Sequence, residues 1–461
     1  MFSVETSYLF FVILSLIVAA IAAWKTGRQW ALGVGVAVSM SAASWFEIDI
    51  AGFPVDVLST VSIVLLVVAS AMYWRRLLWP ITVMDVLVTA LAVWHGVVDL
   101  QYGDPVATTA ARAYAEWWLA YAAGRYAFMH RSSLSVLAPW FAGVAVVLSV
   151  AAMIECWTGI NLWEAIFHVA DDRVNRPQGL RFDLFHRAIA TTRHPIFLGV
   201  ILMLLSPWAW VTWDSALTRR RAWWGVIAFV LILLGIAATV SRGPVLGMAV
   251  AVVFFACVQW RIARIILVPV IVIAIALLVW RFDDVVTKLD ESVGVESATI
   301  VEVDEDAEIY TGTRNRIFVM KIYGPIVLKG GLLGFGTDNT DQFPPNVPGL
   351  PADKRSRLRL RIVDNSFVLV GLRFGIVGLT IFTSLFVAAV VGCLRLRRAV
   401  STYLIPCGPV SVTVLASMFV GVALELLTVY CDYDFVPVLL MHFGVVSGVQ
   451  LSIREAIRNP A

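Results

Sequence analysis

The chain alternates long apolar stretches with charged connectors along its whole length. Stretches of about 17 to 22 residues match a hydrocarbon core of roughly 30 Å, and only helices of that length satisfy their own backbone hydrogen bonds inside it. The pattern therefore predicts an all-α, polytopic transmembrane bundle of about 12–13 helices. The predicted spans are 7–24, 30–46, 55–74, 81–98, 107–124, 134–154, 195–213, 223–240, 244–260, 264–280, 367–393, 409–428 and 435–452.

Composition excludes a soluble domain. Apolar residues make up 60% of the chain and charged residues 15%, and the mean hydropathy is +0.85. No single soluble core could cover so much apolar surface. The net charge of +3 is spread over short connectors and builds no basic domain, so no nucleic-acid partner is expected.

The five cysteines indicate neither a metal site nor a disulfide framework, because they are scattered without CxxC spacing or a neighbouring histidine. Cys156 and Cys431 both fall near one face of the predicted bundle, and the sequence leaves open whether a disulfide joins them. We expect no metal and no cofactor.

Lysine and arginine indicate the orientation, because cytoplasmic loops retain them and short translocated loops lose them. Every second connector is basic: Lys25 and Arg28, Arg75 and Arg76, Arg125 and Arg131, Arg219 to Arg221, Arg261 and Arg264, Arg395 with Arg397 and Arg398, and Arg454 with Arg458. The short connectors between them are acidic: Glu47, Asp49, Asp56, Asp99, Asp104, Asp432 and Asp434. We expect a multi-pass protein of the cytoplasmic (inner) membrane whose amino terminus faces outward, toward the periplasm.

Two connectors, 155–194 and 281–363, are long enough to form structure outside the bilayer, and both are expected on the outer side. They suggest three parts: amino-terminal helices (1–154), a core with the large extracytoplasmic loops (155–395), and carboxyl-terminal helices with a cytoplasmic tail (396–461). Segments 314–329 and 355–366 are expected as short amphipathic helices on the membrane, the second alternatively as a strand.

The turn Ser241-Arg242-Gly243-Pro244 opens on the same outer side. Its arginine has two interpretations of similar weight. It extends to lipid headgroups or balances a carboxylate such as Glu116 or Glu425. Alternatively, it faces an outward cavity and grips a phosphate or diphosphate through its planar guanidinium.

Several segments resemble the O-antigen ligase and polymerase superfamily, whose multi-pass members use polyprenyl-diphosphate-linked glycans outside the cytoplasmic membrane. The similar segments, which span roughly residues 150–395, are Ile154-Glu155 with Thr158-Gly159-Ile160-Asn161; Arg187-Ala188; His194-Pro195-Ile196-Phe197-Leu198-Gly199; Ser241-Arg242-Gly243-Pro244-Val245-Leu246-Gly247; Gly312-Thr313-Arg314-Asn315-Arg316-Ile317-Phe318; Leu333-Gly334-Phe335-Gly336-Thr337; Asp364-Asn365-Ser366-Phe367; and Gly375 to Gly378. The chain departs from the pattern at Asp364, where the ligases carry His before Asn, and at Arg373, where Glu is usual.

The resemblance implies a GT-C-like membrane glycosyltransferase that is inverting and metal-independent and acts in cell-envelope polysaccharide biosynthesis as ligase or polymerase. Its partners are a polyprenyl-diphosphate-linked glycan donor, a glycan or lipid acceptor, and membrane lipids. Expelling a diphosphate requires cations around the leaving group. Arg242 and Arg314 are the first choices for that role, and Arg316 and Arg187 are reserves.

Asp364 or His194 is the candidate to hold or deprotonate the acceptor, supported by Asn365, Ser241 and Gly243. Each candidate has a structural alternative. His194 or Asp364 caps the helix that follows it, and Asn365 is a turn residue. Two further groups are expected outside any site: Arg355 to Arg361 at lipid headgroups, and Arg112 with Glu116 as a structural pair.

Two rival functions stay open from the sequence. One is a polysaccharide or lipid-linked sugar transporter or flippase, in which the intramembrane Arg and Glu residues line a pathway. The other is an assembly partner without enzymatic activity.

Overall fold

The structure is a computed structural model that describes residues 3–50, 53–78, 80–168, 184–281, 299–303, 306–310, 312–352, 356–357, 360–402 and 408–458. Its helices are α1 (Val4–Thr26), α2 (Ala31–Ser39), α3 (Val57–Leu78), α4 (Val83–Gln101), α5 (Val106–Ala113), α6 (Ala120–Ala127), α7 (Ser133–Thr158), α8 (Leu162–Phe167), α9 (Pro195–Asp214), α10 (Arg219–Ala238), α11 (Arg242–Gln259), α12 (Arg261–Trp280), α13 (Gly312–Lys329), α14 (Thr337–Thr340), α15 (Ser366–Thr402), α16 (Pro409–Glu425) and α17 (Val436–Arg458). A π-helical segment (Tyr114–Leu119) joins α5 to α6, and a short 3-10 helix (Arg28–Trp30) precedes α2.

Eight of the described helices are at least 18 residues long and apolar enough to cross a membrane: α1, α4, α7, α9, α10, α11, α15 and α17. Helices α3 and α16 add shorter apolar segments. Each predicted span except 30–46 coincides with one helix or, at 107–124, with α5, the π segment and α6 in sequence. The protein is therefore a polytopic helical membrane protein, as predicted.

The predicted span 30–46 is wrong in extent, because α2 has only nine residues and ends at Ser39. Backbone groups that a longer helix would pair internally make hydrogen bonds to side chains and to a distant carbonyl instead. Ser41 Oγ donates to Val38 O (2.7 Å), the Trp163 indole donates to Ser41 O (2.9 Å), and Ser44 N–H donates to Thr191 O (2.8 Å). The chain therefore leaves the helix to contact the first long loop.

Two small antiparallel hairpins accompany the helices. Strands β1 (Glu47–Ile50) and β2 (Phe53–Asp56) pair with Glu47 opposite Asp56. Strands β3 (Thr299–Val303) and β4 (Asp306–Tyr310) pair within the second long connector. Both lie in connectors rather than in spans, so the helical fold class is unaffected.

Contacts sort the connectors into two sets at opposite ends of the long helices. In the acidic set, Arg193 bonds Glu47 and Asp434. In the basic set, Arg131 donates to Glu455 O and Arg454 donates to Ile81 O. The connectors that the arginine pattern assigned to one side therefore contact one another, as alternating passage through a bilayer requires.

A break in α15 at Gly375 (φ 64°) attaches the second long connector to the bundle. The break exposes the backbone carbonyls of Leu372 and Arg373. Leu372 O accepts from Phe335 N–H (2.7 Å), and Arg373 O accepts from Gly336 N–H (3.0 Å). A Cβ at Gly334 would lie within 2.7 Å of the α15 backbone, so only glycine fits this approach. The loop around Gly334 and the α15 break at Gly375, which lie apart in the sequence, thus pack directly against each other.

Segment 314–329 is helical as predicted, within α13. Its inner face, Val319, Tyr323 and Ile326, packs in a small core with residues of α15 such as Leu372. In segment 355–366, the described residues include a helical turn at 356–357 and irregular chain at 360–365, and they contain no strand. The Tyr323 hydroxyl ties this irregular chain to α13 by donating to Leu360 O (2.8 Å).

Candidate functional site

Glu155, near the end of α7, fixes the chain that follows the first long loop. Its Oε2 atom accepts from the backbone N–H groups of Ile189 (3.2 Å) and Ala190 (2.7 Å) and from the Asn161 side-chain amide (3.2 Å). The Asn161 amide also donates to Ala190 O (2.8 Å). A buried carboxylate with three donors is well satisfied, so Glu155 acts as an anchor that sets the position of Arg187.

His194 caps α9, which confirms the structural role considered for it. Its Nδ1 atom accepts from Ile196 N–H (3.2 Å), and Pro195 occupies the first helical turn. Burial, together with the positive charges of Arg187 and Arg316, lowers the pKa of His194 to about 3. The imidazole is therefore neutral at pH 7, and because Nδ1 accepts, the ring proton is on Nε2.

The Ser241-Arg242-Gly243 turn meets the 187–194 segment through Arg187. Arg187 Nη2 donates to Ser241 Oγ (3.0 Å), and Ser241 Oγ donates to Thr239 O (3.0 Å). Ser241 occupies the N-cap position of α11, but its side chain makes no capping hydrogen bond to the helix. The hydroxyl instead links the start of α11 to an arginine from a distant segment.

Asn365, rather than Asp364, caps α15. Asn365 Oδ1 accepts from Val368 N–H (3.0 Å), and its side-chain amide donates to Leu427 O (3.0 Å). The capping role considered for Asp364 is therefore wrong, because its neighbour fills the position. Asn365 is 2% exposed, so it joins the start of α15 to the end of α16 from within the protein.

The Asp364 carboxyl is thus available for another role. Burial raises its pKa to about 6, while the positive charge of Arg316 opposes the rise. A carboxyl group with a pKa close to neutral pH is ionised for most of the time at pH 7 and can still accept a proton.

Arg316 is the group that unites the site. Its guanidinium interacts electrostatically with His194, Asp364 and Glu425, which come from three separate segments. Its Nε atom is buried and makes no hydrogen bond to the described part of the chain. Arg316, a reserve candidate from the sequence, thus acts electrostatically on the histidine and on both carboxylates.

The other candidates lie around this centre. Arg242 is exposed at the first position of α11, whereas Ser241 and Pro244 are buried. Gly243 lies against Glu425, since a Cβ there would overlap Oε1 and lie 2.6 Å from Oε2. The backbone of Arg314 belongs to α13, and its side chain lies outside the described part of the structure.

A cluster of hydrogen bonds and ion pairs around Arg193, which the sequence did not indicate, lies next to the site and is called the clamp. Arg193 Nη1 bonds Asp434 Oδ1 (3.2 Å), Nη2 bonds Glu47 Oε2 (3.0 Å) and Ser44 O (3.3 Å), and the Arg193 N–H donates to Asp434 Oδ2 (2.5 Å). Burial and the neighbouring Asp432 raise the pKa of Asp434, and Arg193 opposes this. The clamp fixes the residue immediately before His194.

A second buried polar network lies between α4, the π segment and the second long connector. His95 Nε2 bonds Asp99 Oδ2 (2.9 Å), and the Trp117 indole donates to His95 Nδ1 (3.0 Å). Asp99 Oδ1 accepts from Thr337 N–H (2.9 Å), and the Tyr102 hydroxyl donates to Gly334 O (2.7 Å). The sequence signal for this network is a His and an Asp at i and i+4 within a span.

Arg112 and Glu116 interact electrostatically, as expected of a structural pair, but each makes its hydrogen bond to another residue. Arg112 Nη1 bonds Asp338 Oδ1 (3.1 Å), and Glu116 Oε1 accepts from the Tyr433 hydroxyl (3.1 Å). Arg373, one of the two departures from the family pattern, pairs with Asp341 and donates from Nε to Thr340 Oγ1 (3.2 Å).

The remaining expectations concern cysteines, metals and the basic run. Cys156 and Cys431 carry free thiols, so the bridge considered between them is not formed. Among the described residues, no group of three His, Cys, Asp or Glu side chains is arranged to hold a metal ion. Arg357 and Arg361 are exposed, and Arg355 and Arg359 lie outside the described residues, so headgroup contact stays a prediction.

The fold and this site define a polytopic membrane protein with a charged cluster at the ends of its helices. Residues 227–383 match the family model described as O-antigen ligase. The match supports an O-antigen ligase-like superfamily, and with it a membrane function in cell-surface glycan assembly. The matched part contains Arg242, Arg316 and Asp364, whereas Arg187, His194 and Glu425 lie outside it. No curated protein matches the chain.

Proposed function

We propose that the protein transfers a glycan from a polyprenyl-diphosphate-linked donor to a glycan or lipid acceptor, as a ligase or a polymerase. The observation that carries this proposal is that Arg187 and Arg316 both act electrostatically on His194, and that Arg316 also acts on Asp364. Two guanidinium groups, a neutral hydrogen-bond donor and a carboxyl group of raised pKa are the parts that displacement of a diphosphate requires.

The donor's diphosphate binds to Arg187 and Arg316. As the bond between the anomeric carbon and the diphosphate oxygen breaks, negative charge grows on that oxygen, and guanidinium groups stabilise it through charge-assisted hydrogen bonds. Arg242, exposed at the neighbouring turn, contacts the diphosphate from the outside, and Arg314 is the fourth candidate. Because these cations supply the positive charge, we propose that transfer is metal-independent.

The acceptor hydroxyl approaches the anomeric carbon from the face opposite the diphosphate, so the configuration inverts. As the new carbon–oxygen bond forms, the hydroxyl proton passes to the Asp364 carboxylate. His194 cannot act as this base at neutral pH, because its Nδ1 atom caps α9 and its pKa is about 3. Its Nε2–H instead orients the diphosphate or the acceptor by donating a hydrogen bond.

We propose that the site faces outward from the cytoplasmic membrane. The support is the alternation of basic and acidic connectors, together with the contacts that join each set. Reporters fused at Arg220, Arg261 or Arg397 should read cytoplasmic, and a reporter at Asp338 should read outside. A cytoplasmic signal from Asp338 would contradict the orientation.

The central experiment uses Arg316→Lys, which keeps the charge but loses the planar fork. Purified protein in detergent, supplied with lipid-linked glycan and acceptor, should transfer about 100-fold more slowly, as expected for losing one oxyanion-type contact. Arg357→Lys, in the same connector but exposed, is the matched control and should behave as wild type.

The assay in detergent also separates transfer from transport, since solubilised protein does not divide two aqueous compartments between which a substrate could move. Acceptor-dependent consumption of the donor, followed by mass spectrometry, therefore reports transfer alone. If wild type consumes no donor under these conditions, or if Arg316→Lys is as fast as wild type, the proposed chemistry is wrong. The glycan-lipid product identifies ligase or polymerase action by its acceptor end.

A further inference from the structure

The short helix α14 and the residue after it are bonded to two arginines of the bundle. Asp338 Oδ1 accepts from Arg112 Nη1 (3.1 Å), and Asp341 pairs with Arg373, whose Nε donates to Thr340 Oγ1 (3.2 Å). Both carboxylates are open to solvent, since the side chain of Asp338 is 65% exposed and that of Asp341 is 44% exposed. Exposed ion pairs contribute little to stability, so stability alone does not account for them.

Tyr433, in the connector between α16 and α17, lies beside these two ion pairs. Its hydroxyl donates to Oε1 of Glu116 (3.1 Å), which follows Arg112 by one helical turn, and Arg373 acts electrostatically on both Tyr433 and Glu116. The tyrosine is nevertheless 60% exposed. Because a hydrogen bond holds its hydroxyl, the ring is presented in a fixed position and loses little conformational entropy when a ligand binds. We call Tyr433, Glu116 and the two ion pairs the Tyr433 surface.

The connector that carries Tyr433 also places this surface next to the Arg316 cluster. Val429 O accepts from Ser366 Oγ (2.6 Å), and Ser366 lies two residues after the proposed base. Val429 precedes Tyr433 by four residues, which span at most about 14 Å. On the other side of Tyr433, Asp434 bonds Arg193 (3.2 Å), which immediately precedes the histidine of the site. The Tyr433 surface is therefore a neighbour of the proposed chemistry.

The chemical groups of the Tyr433 surface fit a sugar better than a diphosphate. Its two guanidinium groups and three carboxylates carry a net negative charge when all are ionised, so they do not attract an anionic leaving group. Sugar hydroxyls both donate and accept hydrogen bonds, and carboxylates and guanidinium groups supply the matching acceptors and donors. An aromatic ring offers an apolar face to the carbon-bound hydrogens of a sugar ring.

We propose that the Tyr433 surface binds a sugar at the receiving end of the acceptor and directs the acceptor hydroxyl toward Asp364. This inference rests on the proposed function, in which Asp364 takes the acceptor proton. The Tyr433 ring stacks on the sugar, and the exposed carboxylates of Asp338 and Asp341 accept hydrogen bonds from its hydroxyl groups. Binding of the donor diphosphate does not depend on this surface, because the proposed diphosphate site is elsewhere.

The test is Tyr433→Ala, which removes the ring. In the transfer assay the KM for the acceptor should rise about tenfold, whereas kcat at saturating acceptor and the KM for the donor should stay within about twofold. Tyr433→Phe keeps the ring, so its KM for the acceptor should stay within about threefold of wild type. Tyr114→Ala is the matched control, because Tyr114 has a similar exposure (54%) and lies outside the surface.

A direct binding measurement separates this inference from the proposed function. Soluble oligosaccharides released by mild acid from the envelope of the source cells carry acceptor ends without a lipid or a diphosphate. Saturation-transfer NMR detects their binding to the full chain in lipid nanodiscs. Wild type and Tyr114→Ala should bind them, and Tyr433→Ala should lose most of the signal. All three should bind farnesyl diphosphate, a short-chain polyprenyl diphosphate, equally well.

If Tyr433→Ala accumulates poorly, Asp338→Asn provides the same test with a smaller loss of oligosaccharide affinity, about threefold. The inference is overturned if wild type binds no oligosaccharide, if Tyr433→Ala binds as well as wild type, or if Tyr433→Phe loses as much as Tyr433→Ala. The last result would make the tyrosine a support for Glu116. Oligosaccharide binding by a wild-type protein that transfers no glycan would instead contradict the proposed function.

Discussion

Two buried polar regions of the protein differ in how completely they are paired. In the network around His95, each ring nitrogen has a partner, and both oxygens of Asp99 accept hydrogen bonds. In the site around Arg316, the Nε atom of that arginine and Oε1 of Glu425 make no hydrogen bond within the described structure. Both regions connect the bundle to a long connector, so burial alone does not distinguish them.

This difference in pairing indicates which of the two regions can bind a ligand. A fully paired network keeps one geometry, because any displacement leaves a buried group unsatisfied. An incompletely paired charged cluster retains the capacity to bind an ion of the right sign and shape. We therefore interpret the His95 network as the attachment of the 334–341 segment, and the Arg316 cluster as the place of chemistry.

The largest expected effect separates Asp364 from its neighbour. Asp364→Asn should slow transfer about 1,000-fold, within the usual range for loss of a general base, and should leave thermal stability and farnesyl diphosphate binding near wild type. Asn365→Ala should instead destabilise the protein by about 1 kcal/mol through loss of the α15 cap, with a much smaller effect on the transfer rate. Both are measured by transfer assays and thermal unfolding in nanodiscs. Equal transfer rates for Asp364→Asn and wild type would remove the base from the site.

The next effect concerns pH. A base works only when deprotonated, and burial raises the pKa of Asp364 to about 6. The single-turnover rate should therefore be level above pH 7 and fall about tenfold per pH unit below pH 6. His194 should not contribute in this range, since its pKa is lowered to about 3. A rate that stays constant down to pH 5 would contradict the assignment of Asp364.

The smallest effect on chemistry is expected in the paired network. Trp117→Phe removes the donor to His95 Nδ1 and leaves a buried acceptor unsatisfied, which should cost about 1–3 kcal/mol of stability. The transfer rate per folded molecule should change less than about twofold, because the network lies outside the Arg316 cluster. A large loss of turnover without a loss of stability would mean that the two regions are not distinct.

Much of this architecture could be predicted from the sequence. The spans follow from apolar length, and the Ser241-Arg242-Gly243 and Asp364-Asn365 segments were recognisable by their order. The order of importance among the arginines was not predictable, since Arg242 is exposed, whereas Arg187 and Arg316 act electrostatically on His194. Glu425 appeared in the sequence only as one possible counter-charge.

The sequence by itself determined that the chain enters a membrane, where all the long helices but not α2 lie, and which turns carry charge, because these properties depend on composition and local spacing. Only the tertiary structure decided which side chains meet. Lipid tails are as apolar as a protein core, so a membrane helix shows little difference between its buried and its exposed face. The fold alone therefore determines that Ser241 and Pro244 are buried while Arg242 is exposed, and that Glu425 contacts Gly243.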